Sequence, residues 1–279
     1  MNELEIIERI RKAFPESGIG DDAAVLPPAA GERLLASDAV VENVHFTRRY
    51  STLSQAVQKV VTSNVSDIYA MGGAPEALVL SAGLPPGCGP GEIDEIVEGL
   101  AAACGAYGVR LVGGDTVRSP GGYFFDVAIT GTVALGRSVR RSGARDGDAL
   151  VLFGEIGPSL AGLSLLAAFL GPCGCGGGGF PAPRLRDCAG AGARVRTIAP
   201  RLSLADDVPA LRAMAAGLAH LPHAAEMLRF MARHLAPRAA PLGEALLAAE
   251  PRALTAMIDV SDGLAKDLRT LCGESRVGA

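Results

Sequence analysis

A mixed α/β fold is what this sequence predicts, on three observations. Apolar residues recur at helical spacing over residues 2–14, 55–70 and 93–107. Strand-like stretches stand between and after them, at 34–38, 77–83 and 124–135. Aspartates sit at strand ends and in glycine-flanked turns. That order suits strands packed against a helical layer.

The elements follow in turn. Residues 2–14 predict a helix with Leu4, Ile7 and Ile10 on one face. The loop 17–22 leads into a short strand at 23–26, and 34–38 is a second strand. Residues 55–70 predict a helix whose Val57, Val60, Val61, Val65 and Ile68 make an apolar stripe. A strand at 77–83 and a helix at 93–107 come next. A short strand at 111–112 ends at Gly113, Gly114 and Asp115. Residues 124–135 alternate as a strand does. A second unit begins near Arg141, with a strand at 148–153 and a helix at 159–170. Residues 171–179 (GPCGCGGGG) read as a low-complexity loop. Residues 180–226 are rich in Ala, Arg and Pro, with weak periodicity and no assigned role. Order returns with a helix at 225–235. A strand at 256–260 opens into Ser261, Asp262 and Gly263.

Composition narrows the function. The chain has 279 residues and is 49% apolar, enough for two domains with a sizeable core. A net charge of −4 without a basic cluster gives no electrostatic case for nucleic acid. Aromatics are few and Trp is absent, so stacking platforms for bases are not expected. The amphipathic start is unlike a secretory signal, and the apolar stretch 160–170 is about half a membrane span. A soluble, cytoplasmic protein is expected. Cys88, Cys104, Cys173, Cys175, Cys188 and Cys272 form no CxxC pair and read as free thiols. Cys173 and Cys175 form a CxC that leaves a zinc or redox role open.

The strongest chemical signal is seven aspartates: Asp21, Asp22, Asp38, Asp67, Asp115, Asp259 and Asp262. Gathered carboxylates repel one another unless a positive charge sits among them. Magnesium takes oxygen ligands, binding through a few carboxylates plus substrate phosphates. Any single Asp in such a turn is better read as a helix cap or an Asx-turn. Seven in this pattern favour divalent metals bridging a polyphosphate, with Asp21 the first to assign to a turn alone. No GxxxxGK[ST] occurs, and no GxGxxG follows a strand, so any nucleotide site has another architecture.

Several segments carry a resemblance. GIGDDAAVL, SDAVVENVHF, KVVTSNVSDIYAMGGAPEALVLSAGLP, LVGGDTVRS, ITGTVALGR, RSGARDGD and IDVSDGLAKDL occur here in the order seen in thiamine-monophosphate kinases. The likeness covers roughly residues 15–170 and 227–270. It implies a two-domain fold of the aminoimidazole ribonucleotide synthetase-like kind. Residues 1–138 would bind metal and ATP and form a homodimer through their strands. Residues 139–279 would be a partial α/β domain with an insertion near 171–226.

The resemblance also implies roles. Asp22, Asp38, Asp67 and Asp115 look like magnesium ligands with Ser37 beside them, and Asp259 and Asp262 look like further ligands. Tyr107, Gly114, Asp115, Arg141 and Ser261 look like ATP contacts, and His45 looks like a substrate contact. The plainer alternatives are a satisfied strand histidine for His45, a solvated charge for Arg141 and a helix cap for Ser261. Lys59 reads as solvent-facing. The implied reaction is ATP plus thiamine phosphate giving ADP plus thiamine diphosphate, with several Mg²⁺ ions. The attacking phosphate has a second pKa of about 6 and needs no strong general base. The work is then positioning and electrostatics, by direct in-line transfer and with no nucleophilic side chain.

The resemblance also has gaps. Residues 171–226 are unlike the family. The sequence ends soon after Asp267, where the family pattern continues with a GGEDYEL-like segment and a late aromatic, so a shortened second domain is expected. Two alternatives stand beside the kinase: an inactive nucleotide-binding remnant, and a sister synthetase acting on aminoimidazole ribonucleotide or selenophosphate. The first cysteine being Cys88 argues against a selenophosphate synthetase.

Overall fold

A computed structural model describes residues 3–15, 23–170, 196–198, 223–240 and 254–278. Its first elements are α1 (Glu3–Ala13), β1 (Glu32–Val41), α2 (Leu53–Ala70), β2 (Ala74–Leu84), α3 (Pro90–Tyr107), β3 (Arg110–Arg118) and β4 (Phe124–Val133). They are followed by β5 (Val151–Phe153), α4 (Pro158–Leu170), β6 (Arg196–Ile198), α5 (Ala224–Leu235) and α6 (Leu264–Ser275).

Helix α2 begins at a reciprocal cap. The Gln55 N–H donates to Thr52 Oγ1 at 3.1 Å, and the Thr52 N–H donates to Gln55 Oε1 at 3.0 Å. Its valines are weak helix formers, so packing has to sustain it. Val57, Val60, Val61, Val65 and Ile68 are each at most 1% exposed. Each such burial contributes roughly 1.5–3 kcal/mol. Helix α3 starts on Pro90, while Glu92 accepts the Gly89 N–H at 2.9 Å. It lies against α2 at Gly99, where a Cβ would stand 2.4 Å from the Ser54 carbonyl oxygen.

The sheet order is β1-β4-β2-β3. Strands β1 and β2 both run antiparallel to β4, and β2 and β3 run parallel across the α3 crossover. One face packs on the helices through Leu78, Leu80, Phe125, Val127 and Ile129. The other face is open and leaves Leu35, Val41 and Val117 exposed. Register assigns these three to that face: Leu35 opposes Thr130, Val41 opposes Phe124, and Val117 opposes Gly83.

By contacts the chain divides into two compact units, residues 1–146 with 238–279, and residues 147–237. The sequence reading cut it once, near 138. Hydrogen bonds tie the later segment to the first unit: Ser66 to Asp259, Ser275 to the Arg141 carbonyl, and the Ala239 N–H to the Tyr107 hydroxyl. In the second unit β5 and β6 pair in parallel. There α4 meets α5 around Leu166, Met231 and Leu235, and Glu155 lies 3.8 and 3.9 Å from Arg229 and Arg233. No described helix is long and apolar enough to cross a membrane.

Three strand expectations change. Residues 23–26 form no strand, and Val25 is 95% exposed. Pro27 and Pro28 follow, and they lack the N–H a ladder needs. Residues 256–260 join no described ladder, although the Met257 N–H reaches the Arg140 carbonyl at 3.0 Å. Strand β3 does not stop at Gly113. A bulge opposite Leu78 and Val79 restores its register with β2, so pairing runs on to Arg118. The 17–22 loop and nearly all of 171–226 lie outside the described residues.

Candidate functional site

Three segments of the first unit bring carboxylates together. Asp38 comes from β1, Asp67 from the last turns of α2, and Asp259 from the stretch leading into α6. Asn64, 0% exposed, fixes the first. Its Oδ1 accepts the Asp38 N–H at 3.1 Å, and its Nδ2 donates to the carbonyls of Asp38 at 3.4 Å and Val60 at 2.9 Å. Ser66, one residue before Asp67, donates to Asp259 Oδ2 at 3.1 Å.

The three carboxylates disturb one another. Burial pushes Asp67 up to about 6, helped by the charges of Asp259 and Asp38 and opposed by Arg141. Asp38 is raised by burial, then by Asp259 and Asp262, with His45 opposing. Asp259 is raised by burial and by Asp267, against the Ser66 hydrogen bond and Arg141. Arg141 and His45 offset this repulsion only in part, and a bound cation would supply the rest. Its donors are hard oxygens with no thiolate among them, and they suit Mg²⁺ better than a soft metal. Among the described residues, no three His, Cys, Asp or Glu side chains stand close enough to hold an ion by themselves.

Arg141 is exposed, and its carbonyl accepts the Ser275 hydroxyl at 2.7 Å. Ser275 Oγ in turn accepts the N–H groups of Gly143 at 3.1 Å and Ala144 at 3.0 Å, which fixes the segment that carries Arg141. His45 Nδ1 accepts the Val41 N–H at 3.0 Å, so in the neutral ring Nε2 carries the proton and can donate to an anion. Lys59 is half-buried and not simply solvent-facing. It donates to the His45 carbonyl at 2.6 Å, and burial lowers its pKa.

Other predicted residues stand elsewhere. Asp115 is exposed on β3, opposite Ser81, which is opposite Asp126 on β4. Ser37 Oγ donates to Asp126 Oδ1 at 3.2 Å. Strand alternation therefore assigns Ser37, Asp115 and Asp126 to the open face, opposite to Asp38. A Cβ at Gly114 would stand 2.1 Å from the Leu80 carbonyl oxygen, so glycine there serves strand pairing. The Tyr107 hydroxyl is engaged with Thr62 Oγ1 at 3.0 Å and with the Ala239 N–H at 3.1 Å. Asp262 pairs with Lys266. Ser261 is not a helix cap: Gly263 holds that position, and the Ser261 N–H goes to Asp267. Asp21 and Asp22 lie outside the described residues. Sequence reasoning missed Asn64, Ser66, Asp126 and Asp267. The first two stand inside the NVSD segment that flagged Asp67.

Comparison with known proteins places this arrangement. Residues 20–133 match the family model of AIR synthase related protein, N-terminal domain. The thiamine-monophosphate kinase of Stenotrophomonas maltophilia K279a aligns with a TM-score of 0.66 at 26% identity, covering 99% of this chain and 73% of that one. AaThiL complexed with AMPPCP and TMP aligns with a TM-score of 0.62 at 25% identity, covering 98% and 70%. The chain therefore has the AIR synthase-like fold, with a mixed sheet under a helical layer. Within that class it is related to the thiamine-monophosphate kinases. That of Bacillus subtilis is 36% identical over 172 residues, 60% of this chain and 53% of the relative. That of Mycobacterium tuberculosis H37Rv is 29% identical over 282 residues, 99% of this chain and 68% of the relative. The chain spans about half the length of the curated relatives it matches from Bacillus subtilis, Aquifex aeolicus and Synechococcus elongatus.

Proposed function

We propose that this chain is an ATP- and magnesium-dependent kinase that converts thiamine phosphate to thiamine diphosphate by direct in-line transfer. The observation that carries the reading is the convergence of Asp38, Asp67 and Asp259, the first held by Asn64 and the last by Ser66 beside Asp67, with burial and neighbouring carboxylates raising all three. A related protein complexed with AMPPCP and TMP supports the choice of substrates.

Asp38, Asp67, Asp259 and Asp262 would hold magnesium, with Asp22 as a further candidate; Ser37 and Asp115, on the open face, would serve a separate ion. The metal would neutralise the charge of two polyanions brought together. The chain's own residues do the rest. Arg141 binds phosphate as a fixed cation. His45 offers its Nε2–H to the substrate. Ser261 would meet the nucleotide, with Gly114, Asp115 and Tyr107 as further candidates for it. No side chain need take a proton, because the attacking phosphate oxygen is largely ionised at neutral pH. Residues 1–138 carry the dimer strands and most of the metal and nucleotide contacts, and 139–279, the partial second domain, adds Arg141, Asp259, Ser261 and Asp262. The open sheet face with Leu35, Val41 and Val117 supports a homodimer joined through these strands. We place the protein in the cytoplasm.

The test is thiamine diphosphate formation from ATP, Mg²⁺ and thiamine phosphate by the purified chain. Turnover should vanish in Asp38→Ala and in Asp115→Ala while the fold survives. Full activity in either variant removes that residue from the metal set. Mg²⁺-dependent ATP binding without transfer would instead assign the chain as a non-catalytic nucleotide binder.

A further inference from the structure

Asp267, on the first turns of α6, is the one charged residue among the described residues that is buried, at 6% exposure. Its Oδ2 accepts three consecutive main-chain N–H groups: Ser261 at 3.0 Å, Asp262 at 3.1 Å and Gly263 at 3.1 Å. Burying a carboxylate is costly unless it is well bonded. Three amides converging on one oxygen are the charge-assisted bonds that offset the cost. The N-cap position of α6 is Gly263, which has no side chain to satisfy amides at the helix start. Asp267 reaches back from the first turn to the amides of 261–263, the residues that lead into the helix.

The turn fastened in this way is the one that bears Asp259 and Asp262. Asp259 is anchored at its other side by Ser66 of α2. The segment is therefore held at two places, by a side chain of the neighbouring helix and by the Asp267 carboxylate. Asp262, paired among the described residues with the exposed Lys266 of α6, takes its place from the main chain that Asp267 grips. The same contacts consume an anion-binding concavity. Consecutive N–H groups of this kind can cradle a phosphate, but here an internal carboxylate fills the place.

We propose that Asp267 is a positioning residue for the nucleotide site. It clamps residues 261–263 so that Asp259 and Asp262 face Asp38 and Asp67. It also leaves the Ser261 hydroxyl, not the Ser261 N–H, to meet a bound phosphate. The proposal rests on the kinase reading given above and adds to it a residue that touches neither substrate nor metal.

The test uses the full chain and the variants Asp267→Ala and Asp267→Asn. Amide hydrogen exchange is measured across 261–263 and across the β1–β4 sheet. Binding of AMPPCP with Mg²⁺ is measured by calorimetry. Asp267→Ala should speed exchange at 261–263 about tenfold and weaken binding about tenfold, the equivalent of losing one or two strong hydrogen bonds. Sheet protection should stay as in wild type. Asp267→Asn keeps an acceptor of about half the strength. It should fall between the two, about threefold from wild type in both readouts. Wild-type exchange and affinity in Asp267→Ala overturn the clamp. If that variant fails to fold, Asp267→Asn decides, and wild-type values in both readouts overturn the proposal. A wild-type chain with protected 261–263 amides that binds no AMPPCP overturns the kinase reading, and the nucleotide role of the clamp with it. Binding in wild type and equal binding in Asp267→Ala overturns the clamp alone.

Discussion

Replacing Asp67 by Asn should stabilise the metal-free chain at neutral pH and leave it unchanged in acid. Asp67 is held about two pH units above its ordinary value of 3.8, first by burial and then by Asp259 and Asp38. Each unit corresponds to about 1.4 kcal/mol, for a ceiling of roughly 3 kcal/mol. Asp67 is only partly buried, so solvent screening reduces this to about 1–1.5 kcal/mol. The sign follows from linkage. Well below its ordinary value of 3.8 the carboxyl is protonated in both states, and its contribution to stability is fully present. Between about 4 and 6 the unfolded chain ionises first, and stability falls as pH rises. Above about 6 the folded state is ionised too and bears the full cost. The raised values of Asp38 and Asp259 act in the same direction. The assay is thermal unfolding of wild type and Asp67→Asn in EDTA from pH 4 to 7.5. The variant should melt a few degrees higher than wild type at pH 7, at roughly 2–4 °C per kcal/mol, and level with it at pH 4. Magnesium with AMPPCP should reverse the order at pH 7. A difference that does not change with pH, or a variant weaker at pH 7 than at pH 4 relative to wild type, refutes the carboxylate cluster.

Three further outcomes follow from packing. Gly99→Ala should cost about 1–3 kcal/mol in urea unfolding, because its Cβ would press on the Ser54 backbone and spread α3 from α2; a change under 0.5 kcal/mol would show that the helices give way easily. Asn64→Ala should cost about 2 kcal/mol, since it leaves the Asp38 N–H without its side-chain acceptor. It should also weaken AMPPCP binding with Mg²⁺, and an unchanged affinity would detach Asn64 from the site. Cys104 is buried with its thiol pushed up to about 11, so a maleimide should label it far more slowly than the partly exposed Cys272; equal rates in the native chain would contradict that burial.

The sequence carried its local physics openly. The valine stripe of α2, the Thr52–Gln55 spacing, Pro90 ahead of α3 and the alternation of β4 depend on neighbours only a few residues apart. Such periodicities survive in a linear string. The aspartates were legible for the same reason, as polar residues in turns whose type and spacing suit oxygen coordination. What the string could not hold was the partner of each group. Residues 23–26 and 256–260 have strand composition, yet a strand exists only where another offers its N–H and C=O groups. Ser37 and Asp38 are adjacent, and β1 sends them to opposite faces of the sheet. The separation of Asp115 from Asp38 comes from that pleat and from the β2–β3 register. Asp67 is raised first by burial and then by the charge of Asp259, 192 positions later. The grip of Asp267 needs the α6 turn to fold back on its own approach. Residue types thus determined which chemistry was available. Tertiary structure decided which carboxylates share a field, because burial and charge act through space and not along the chain.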